Sequence, residues 1–390
     1  MQSTKAFIIF LVVAVSIYTL INAYIYLRGF SALSTDGRWV VWLKVLFVAV
    51  VLAFPVSIFF RNTAYCQVCN VLTIVGSVWM GAMLYFFLLA FLSDIVRLVE
   101  SFVPIIPERL TADRLLFGRI AFFGSIALVS LVLLLGWVNT QVIRVRPLEV
   151  ALPALPKANN PTTIVFISDV HLGLIIHERR LAAFVEKINA EHPDIILIGG
   201  DLLDESVEGL DHMPEILAGL KAPRGVYAVL GNHEFYAGHE KAEGFMKSAG
   251  IRVLRDEAVT LPGLVNLIGL DDPADSRFGE KEEPSVPELM KKGDPNLPTI
   301  LMFHPPIRMK EYSNYGIDLM LSGHSHHGQL FPLNLITRMV YLVDYGYRRV
   351  GPMQVYVSSG LGTWGPPARV FTHPEIVKIT LTGEKNRGME

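Results

Sequence analysis

The run Phe166-Ile167-Ser168-Asp169-Val170-His171 places two metal-ligand residue types one position apart at the end of an apolar stretch. Side chains alternate faces along a strand, so this spacing predicts that Asp169 and His171 grip one ion together. Four later strand-like runs also end in residues suited to metal or phosphate chemistry: Gly199-Gly200-Asp201, Gly231-Asn232-His233-Glu234, Phe303-His304-Pro305 and Gly323-His324-Ser325-His326. Hydrolysing a phosphate ester at neutral pH needs charge neutralisation and an activated water. Two divalent ions about 3.5–4 Å apart supply both. Such a site requires one carboxylate able to bridge, plus several neutral nitrogen or amide ligands that leave the cluster positive. Asp169, His171, Asp201, Asn232, His304, His324 and His326 make up that set. Any one of them alone reads as a turn former or a surface group. Five such strand ends in one βα-rich region point to a two-metal hydrolytic centre, because ligands gather at strand carboxyl ends in open α/β sheets.

Taken in order, Asp169-x-His171, Gly200-Asp201, Gly231-Asn232-His233-Glu234, His304 and Gly323-His324-x-His326 resemble the five-block signature of the calcineurin-like metallophosphoesterases, over roughly residues 162–383. The resemblance implies that Asp169, His171 and His326 hold one metal, that Asn232, His304 and His324 hold the other, and that Asp201 bridges them. It places His233 beside the substrate phosphate, stabilising the transition state or protonating the leaving group. It also implies a four-layer αββα sandwich of two mixed sheets flanked by helices, and two divalent ions, commonly Mn, Fe or Zn. The oxygen and nitrogen donors do not choose between these metals. One block departs from the pattern. Membrane-associated members read Gly-His-Thr-His-Gly-Gly-Gln, whereas this chain reads Gly323-His324-Ser325-His326-His327-Gly328-Gln329. His327 thus stands where a glycine is usual, and its side chain is expected to point outward or to support a ligand.

The elements that must position these residues begin only at 162. Before them the chain is unusually apolar: 52% of its 390 residues are hydrophobic, and the excess lies in the first 140. Runs at 6–27, 39–60, 68–94 and 116–138 are each long enough, at about 1.5 Å per residue, to cross a hydrocarbon core of roughly 30 Å. The first ends in Tyr24-Ile25-Tyr26-Leu27-Arg28 rather than in small residues, which predicts an uncleaved span, not a signal peptide. Lys44 and Arg119 near run ends are read as snorkelling to the interface. A four-span front end makes the whole chain similar to the membrane-anchored type of the same family, transmembrane proteins that carry a metallophosphoesterase domain.

Sidedness is poorly marked. Lys5, Arg61, Arg144, Arg146 and Lys157 on one side balance Arg28, Arg38, Arg97, Arg109 and Arg114 on the other. The basic pair Arg144 and Arg146 favours a cytoplasmic catalytic domain, with the spans in an inner or plasma membrane. Cys66 and Cys69 lack the second pair that a zinc ribbon needs and the βαβ context of a redox motif, so they read as ordinary cysteines near a membrane interface.

The domain division expected is 1–140 membrane helices, 141–161 linker and 162–390 phosphoesterase. Across 139–161, Pro147, Pro153, Pro156 and Pro161 resist both helix and sheet, leaving a linker or a strand leading into the next domain. β-rich runs follow at 162–168, 194–200, 225–231, 265–270, 298–304, 317–323, 354–358 and 375–381, with helices at 178–190 and 239–249. Asp204, three residues after Asp201, is suited to orient a ligand or to cap the next helix, with capping the expected role, and His177, His212, His239 and His373 are expected to lie at the surface. The Gly/Pro-rich loop 360–367 resembles the one that closes a rim of the site in relatives, and the acidic stretch 271–296 reads as an exposed insert.

A net charge of -2 gives no basic field, so nucleic acid is not an expected partner. The expected function is metal-dependent hydrolysis of a phosphate ester or pyrophosphate at the bilayer. A lipid-linked substrate comes first, because an anchored site meets it more often; nucleotide lipids and phospholipids are examples the family offers. The alternatives are soluble phosphomonoesters, cyclic nucleotides or phosphoproteins, with the spans only as an anchor, and a non-catalytic membrane scaffold, against which the complete ligand set argues.

Overall fold

A computed structural model describes residues 2–33, 37–61, 67–107, 113–153, 155, 161–274 and 284–383. Cys66, Arg109, Pro156, the segment Lys157-Ala158-Asn159-Asn160 and positions 275–283 lie outside the described residues, as do the side chains of Lys5, Arg61 and Arg114. The chain divides into two units, Met1–Val138 with Gly365–Ala368, and Asn139–Trp364 with Arg369–Glu390.

The first unit is helical: α1 (Gln2–Phe30), α2 (Arg38–Arg61), α3 (Gln67–Glu100) and α4 (Arg114–Thr140). Within them Leu11–Phe30, Arg38–Phe60, Gln67–Glu100 and Leu115–Thr140 are long and apolar enough to cross a membrane, in register with the four expected runs. Apolar side chains cover every face, so what holds the helices together is packing plus a few polar links. Trp79 Nε1 on α3 donates to Asn22 Oδ1 on α1 at 3.0 Å, and Asp94 accepts from the Tyr24 hydroxyl at 2.6 Å and faces Arg28 at 2.9 Å. Lys44 reaches over the Phe30 ring, and Cys69 is buried in α3.

The second unit opens on β1 (Arg144–Leu152), so this part of 141–161 is strand. It continues through β2 (Thr162–Ile167), α5 (Glu178–Asn189), β3 (Ile195–Gly199), α6 (Met213–Leu217), β4 (Val226–Val229), α7 (Asn232–Ala237) and α8 (His239–Ser248). Then come β5 (Arg252–Val253), β6 (Glu257–Leu261), β7 (Val265–Leu270), α9 (Val286–Met290), β8 (Thr299–Phe303), α10 (Met309–Tyr312) and β9 (Leu319–Ser322). The last elements are α11 (Leu333–Val340), β10 (Gly346–Val350), β11 (Met353–Val357) and β12 (Glu375–Gly383). One sheet runs β1-β12-β2-β3-β4-β5 and the other β10-β11-β9-β8-β7-β6. Within them β2-β3-β4-β5 and β11-β9-β8-β7 are parallel, whereas β12-β2, β10-β11 and β6-β7 are antiparallel.

Strand alternation builds the layers. Ile164 and Phe166 point from β2 into a core shared with Val265, Leu267, Ile300 and Leu319 of the other sheet. Val165 and Ile167 point the other way, against Phe184 and Ile188 of α5 and Met246 of α8. Met309 and Tyr312 of α10 and Leu289 of α9 cover the far face of the second sheet, over Ile268, Leu301 and Met320. The result is helices, sheet, sheet, helices: a four-layer αββα sandwich.

The stretch 271–296 is not simply an exposed insert. Asp271 and Asp272 are buried, Asp271 beneath Arg255 at 2.8 Å, and Val286 and Leu289 enter the core. Burying the apolar residues of α9 holds residues 284–296 against the domain.

Candidate metal centre

Every expected ligand lies within four residues of a strand's carboxyl end: Asp169 and His171 after β2, Asp201 after β3, Asn232 after β4, His304 after β8, and His324 and His326 after β9. Parallel neighbours within each sheet place these ends side by side. The strand alternation invoked for Asp169 and His171 is not what unites them, since β2 stops at Ile167. Both residues instead adopt left-handed backbone, each at φ 53°, and Asp201, His324 and His326 do the same at 50°, 68° and 49°. Such a conformation costs an L residue of order 1 kcal/mol or more. Five of the seven expected ligands share it, because each must turn back from a strand end towards one point.

Asp201 is the hub. Its Oδ2 lies 3.0 Å from His304 Nε2 and 3.9 Å from His171 Nε2, while Oδ1 accepts the His233 N–H at 3.0 Å. Asp169, His171 and His326 bring ligand atoms within 4.8 Å of one another, as do Asp201, His304 and His324, and also His171, Asp201 and His233. His304 donates Nδ1–H to the Gly199 carbonyl at 2.8 Å, which turns the Nε2 lone pair into the cluster. His324 N–H donates to Asp169 Oδ1 at 2.9 Å, fixing that carboxylate. At Gly231 a Cβ would stand 2.2 Å from Asp201 Oδ1, so only glycine lets the β4 end approach.

Burial and crowding set the charges. Burial alone would raise the Asp201 carboxyl, yet His304, His233 and His171 hold it well below the usual carboxylate range. Burial opposes protonation of His304 and His171 as well, but surrounding carboxylates raise both, Asp201 first for His304 and Asp204 first for His171. His326 goes the other way, pushed well down by burial, by His171 and by the Arg369 guanidinium.

Glu234, Asp204 and Arg369, none of them an expected ligand, complete the site. Glu234 is buried and accepts N–H from Asp201 at 3.0 Å, Leu203 at 2.8 Å and Gly231 at 2.7 Å, locking the β3 and β4 ends together. Burial and the charge on Asp201 lift its carboxyl to about 7. Asp204 caps no helix. Its Oδ1 lies 3.5 Å from His171 Nδ1 and 3.6 Å from His233 Nδ1, and its carbonyl is hydrogen-bonded to His233 Nδ1.

Arg369, fully buried, donates to Gly362 O at 2.7 Å and reaches His326 Nδ1 at 3.4 Å. A single arginine in a Gly/Pro loop carries no spacing signal, so only the fold reveals it. His327 is buried rather than outward, bonded to Asp344 at 3.0 Å and stacked on Tyr345. His177 and His212 are exposed, whereas His373 is pinned to Asn139 at 2.8 Å and His239 packs near Phe235. From the loop 360–367, Leu361 and Gly362 donate to Ser168 O and Asp169 O, and the Trp364 ring stands 5.9 Å from that of His233.

The donors fit a divalent cation. Carboxylate oxygens and imidazole nitrogens converge, and Asn232 Oδ1 is sealed from solvent with no hydrogen-bond partner among the described residues. A buried acceptor without a hydrogen bond, next in sequence to His233, suits a metal ligand.

Imidazoles and carboxylates converging at strand ends of an αββα sandwich define a divalent-metal site of the hydrolase type. Residues 162–328 match the model of the calcineurin-like phosphoesterases. An uncharacterized metallophosphoesterase of Aquifex aeolicus is 36% identical over 250 residues, 64% of this chain and 95% of that protein. Another from Campylobacter jejuni is 29% identical over 386 residues, 97% of this chain and 100% of its own length. A transmembrane protein with metallophosphoesterase domain from Danio rerio is 30% identical over 276 residues, 66% of this chain and 62% of that protein. The chain belongs to the calcineurin-like metallophosphoesterase family.

Proposed function

We propose that the chain is a membrane-anchored phosphohydrolase that uses two divalent ions to cleave a phosphate ester or pyrophosphate of a lipid-linked substrate. The observation that carries this reading is Asp201, which groups with His304 and His324 on one side and with His171 and His233 on the other, His171 also belonging to the Asp169/His171/His326 cluster. In this assignment Asp201 bridges, Asp169, His171 and His326 hold one ion, and Asn232, His304 and His324 hold the other. Bound there, the ions supply charge neutralisation and a more acidic water.

The chain does the rest. His233, its Nδ1 occupied by the Asp204 carbonyl, keeps Nε2 for the proton that the leaving oxygen needs. The Asp204 carboxylate, 3.6 Å from the same ring nitrogen, helps to orient the imidazole. Trp364 and Tyr236 flank His233 and shield it from water. The lipid-linked substrate is supported by the four apolar helices, and a cytoplasmic catalytic unit by Arg144 and Arg146 just after the last of them. The test is hydrolysis by the full-length protein, reconstituted with Mn, of a chromogenic phosphodiester, a phosphomonoester and phospholipid-type esters in vesicles. Preference for the vesicle-borne esters supports the reading. Equal or faster turnover of the soluble ones removes the lipid-linked substrate and leaves a phosphoesterase with an anchor.

A further inference from the structure

Helix α11 has its polarity inverted. Its buried side carries Asn334 and Thr337, the latter bonded to Asp344 at 2.9 Å. Its outer side presents Leu335, Ile336, Met339 and Val340, which are 49, 56, 85 and 66% exposed. A helix on a water-facing domain turns its apolar stripe to the core. This one turns it outward. The surface continues onto Phe371, 77% exposed, which packs against Phe331 at 5.3 Å. Phe371 holds φ at 60°, where bulky residues are rarely found, so the backbone accepts strain to present that ring. Phe331 N–H donates to Val370 O and Thr372 Oγ1 to Gln329 O, tying both segments into one surface.

An exposed apolar patch marks a partner, and the chain itself says which kind. It carries four helices long and apolar enough to cross a membrane. Only residues 141–143 separate the end of α4 from the start of β1. An extended chain covers at most about 3.6 Å per residue, so a bilayer holding α4 lies within chain reach of this domain. The single charged residue of α11 is Arg338, the sign that interfacial helices favour against anionic lipid. We infer that the outer face of α11, together with Phe371, seats in the headgroup and acyl boundary of the bilayer.

Docking there has a consequence for the metal centre. Residues 329–332 join the turn His326–Gly328 to α11, and Gln329 among them exchanges hydrogen bonds with Trp364 at 2.8 and 2.9 Å. The docking edge and the rim of the site are therefore one rigid piece. The inference is independent of which ester is cleaved.

The test uses the full-length chain with Cys66→Ser and Cys69→Ser, carrying an environment-sensitive fluorophore on Met339→Cys, or on Lys221→Cys as an exposed control. Each is reconstituted into phosphatidylcholine vesicles containing phosphatidylglycerol, with or without a spin label high on the acyl chain. The expected result is blue-shifted emission at 339 that the spin-labelled lipid quenches, with neither effect at 221. Water-like, unquenched emission at 339 overturns the proposal. So does a blue shift without quenching, which would mean that protein, such as a second copy, covers the face. The label on Ile336→Cys repeats the reading, so that a misfolded single variant does not decide it.

Discussion

At the scale of the residue, one carboxylate organises the site. Asp201 faces His304 at 3.0 Å and accepts the His233 backbone N–H, so Asp201→Asn removes the negative charge that two ligand groups share. Its expected effect is loss of bound metal together with loss of hydrolysis, read by metal analysis and turnover on the same preparation. His233→Ala should act differently, because the proposed mechanism makes the ring a proton donor and not a ligand. Removing a general acid costs about 10²–10⁴-fold in rate. Metal content should be unchanged, and a fall in metal equal to that of Asp201→Asn would assign His233 to coordination instead. Glu234 serves the backbone. Glu234→Ala strands three buried N–H groups, at about 1–3 kcal/mol each, and thermal denaturation should show a large loss of stability.

At the scale of the element, strand ends bring the residues together and tight backbone approach keeps them there. Gly231→Ala would drive a Cβ to 2.2 Å from Asp201 Oδ1, so the expected outcome is a folded protein with weakened metal affinity, measured by titration with Mn. Phe166→Ala empties a site in the core between the sheets, and unfolding should show a loss of about 3–5 kcal/mol.

The same elements explain what the sequence reveals and what it hides. Buried parallel strands such as Ile195–Gly199 and Thr299–Phe303 are unbroken apolar runs, legible at once. The strands that escape a sequence reading, or remain ambiguous as at 144–152, are β1, β5, β6 and β10, and these are the four outer strands of the two sheets. An edge strand is half solvated, so it tolerates Pro147 in β1 or the arginines of β10 and shows no apolar run. The ligands were legible because their types and order are unusual. Glu234 and Arg369 do not stand out, and the spacing of Asp204 from Asp201 suits capping as well as orienting a ligand, because these roles depend on distances between segments far apart in sequence. Left-handed turns, not the strand alternation expected from their spacing, bring Asp169 and His171 together.

At the scale of the whole molecule, four apolar helices and a phosphoesterase sandwich share one chain, and metal should hold the second unit together. Ligand atoms that repel one another when empty are neutralised when filled, and a site saturated at about 100 times its Kd contributes about 2.7 kcal/mol. Chelation should therefore lower the unfolding temperature of the sandwich, an effect that added Mn reverses and that the Asp201→Asn protein lacks.

The most direct measurement is the divalent-metal content of the purified full-length protein, taken beside its hydrolysis of a chromogenic phosphodiester and compared with Asp201→Asn. Two ions per folded chain, with both metal and activity lost in the variant, is the predicted result. A folded chain that binds no divalent ion, or an Asp201→Asn protein that keeps its full complement and rate, would contradict the account.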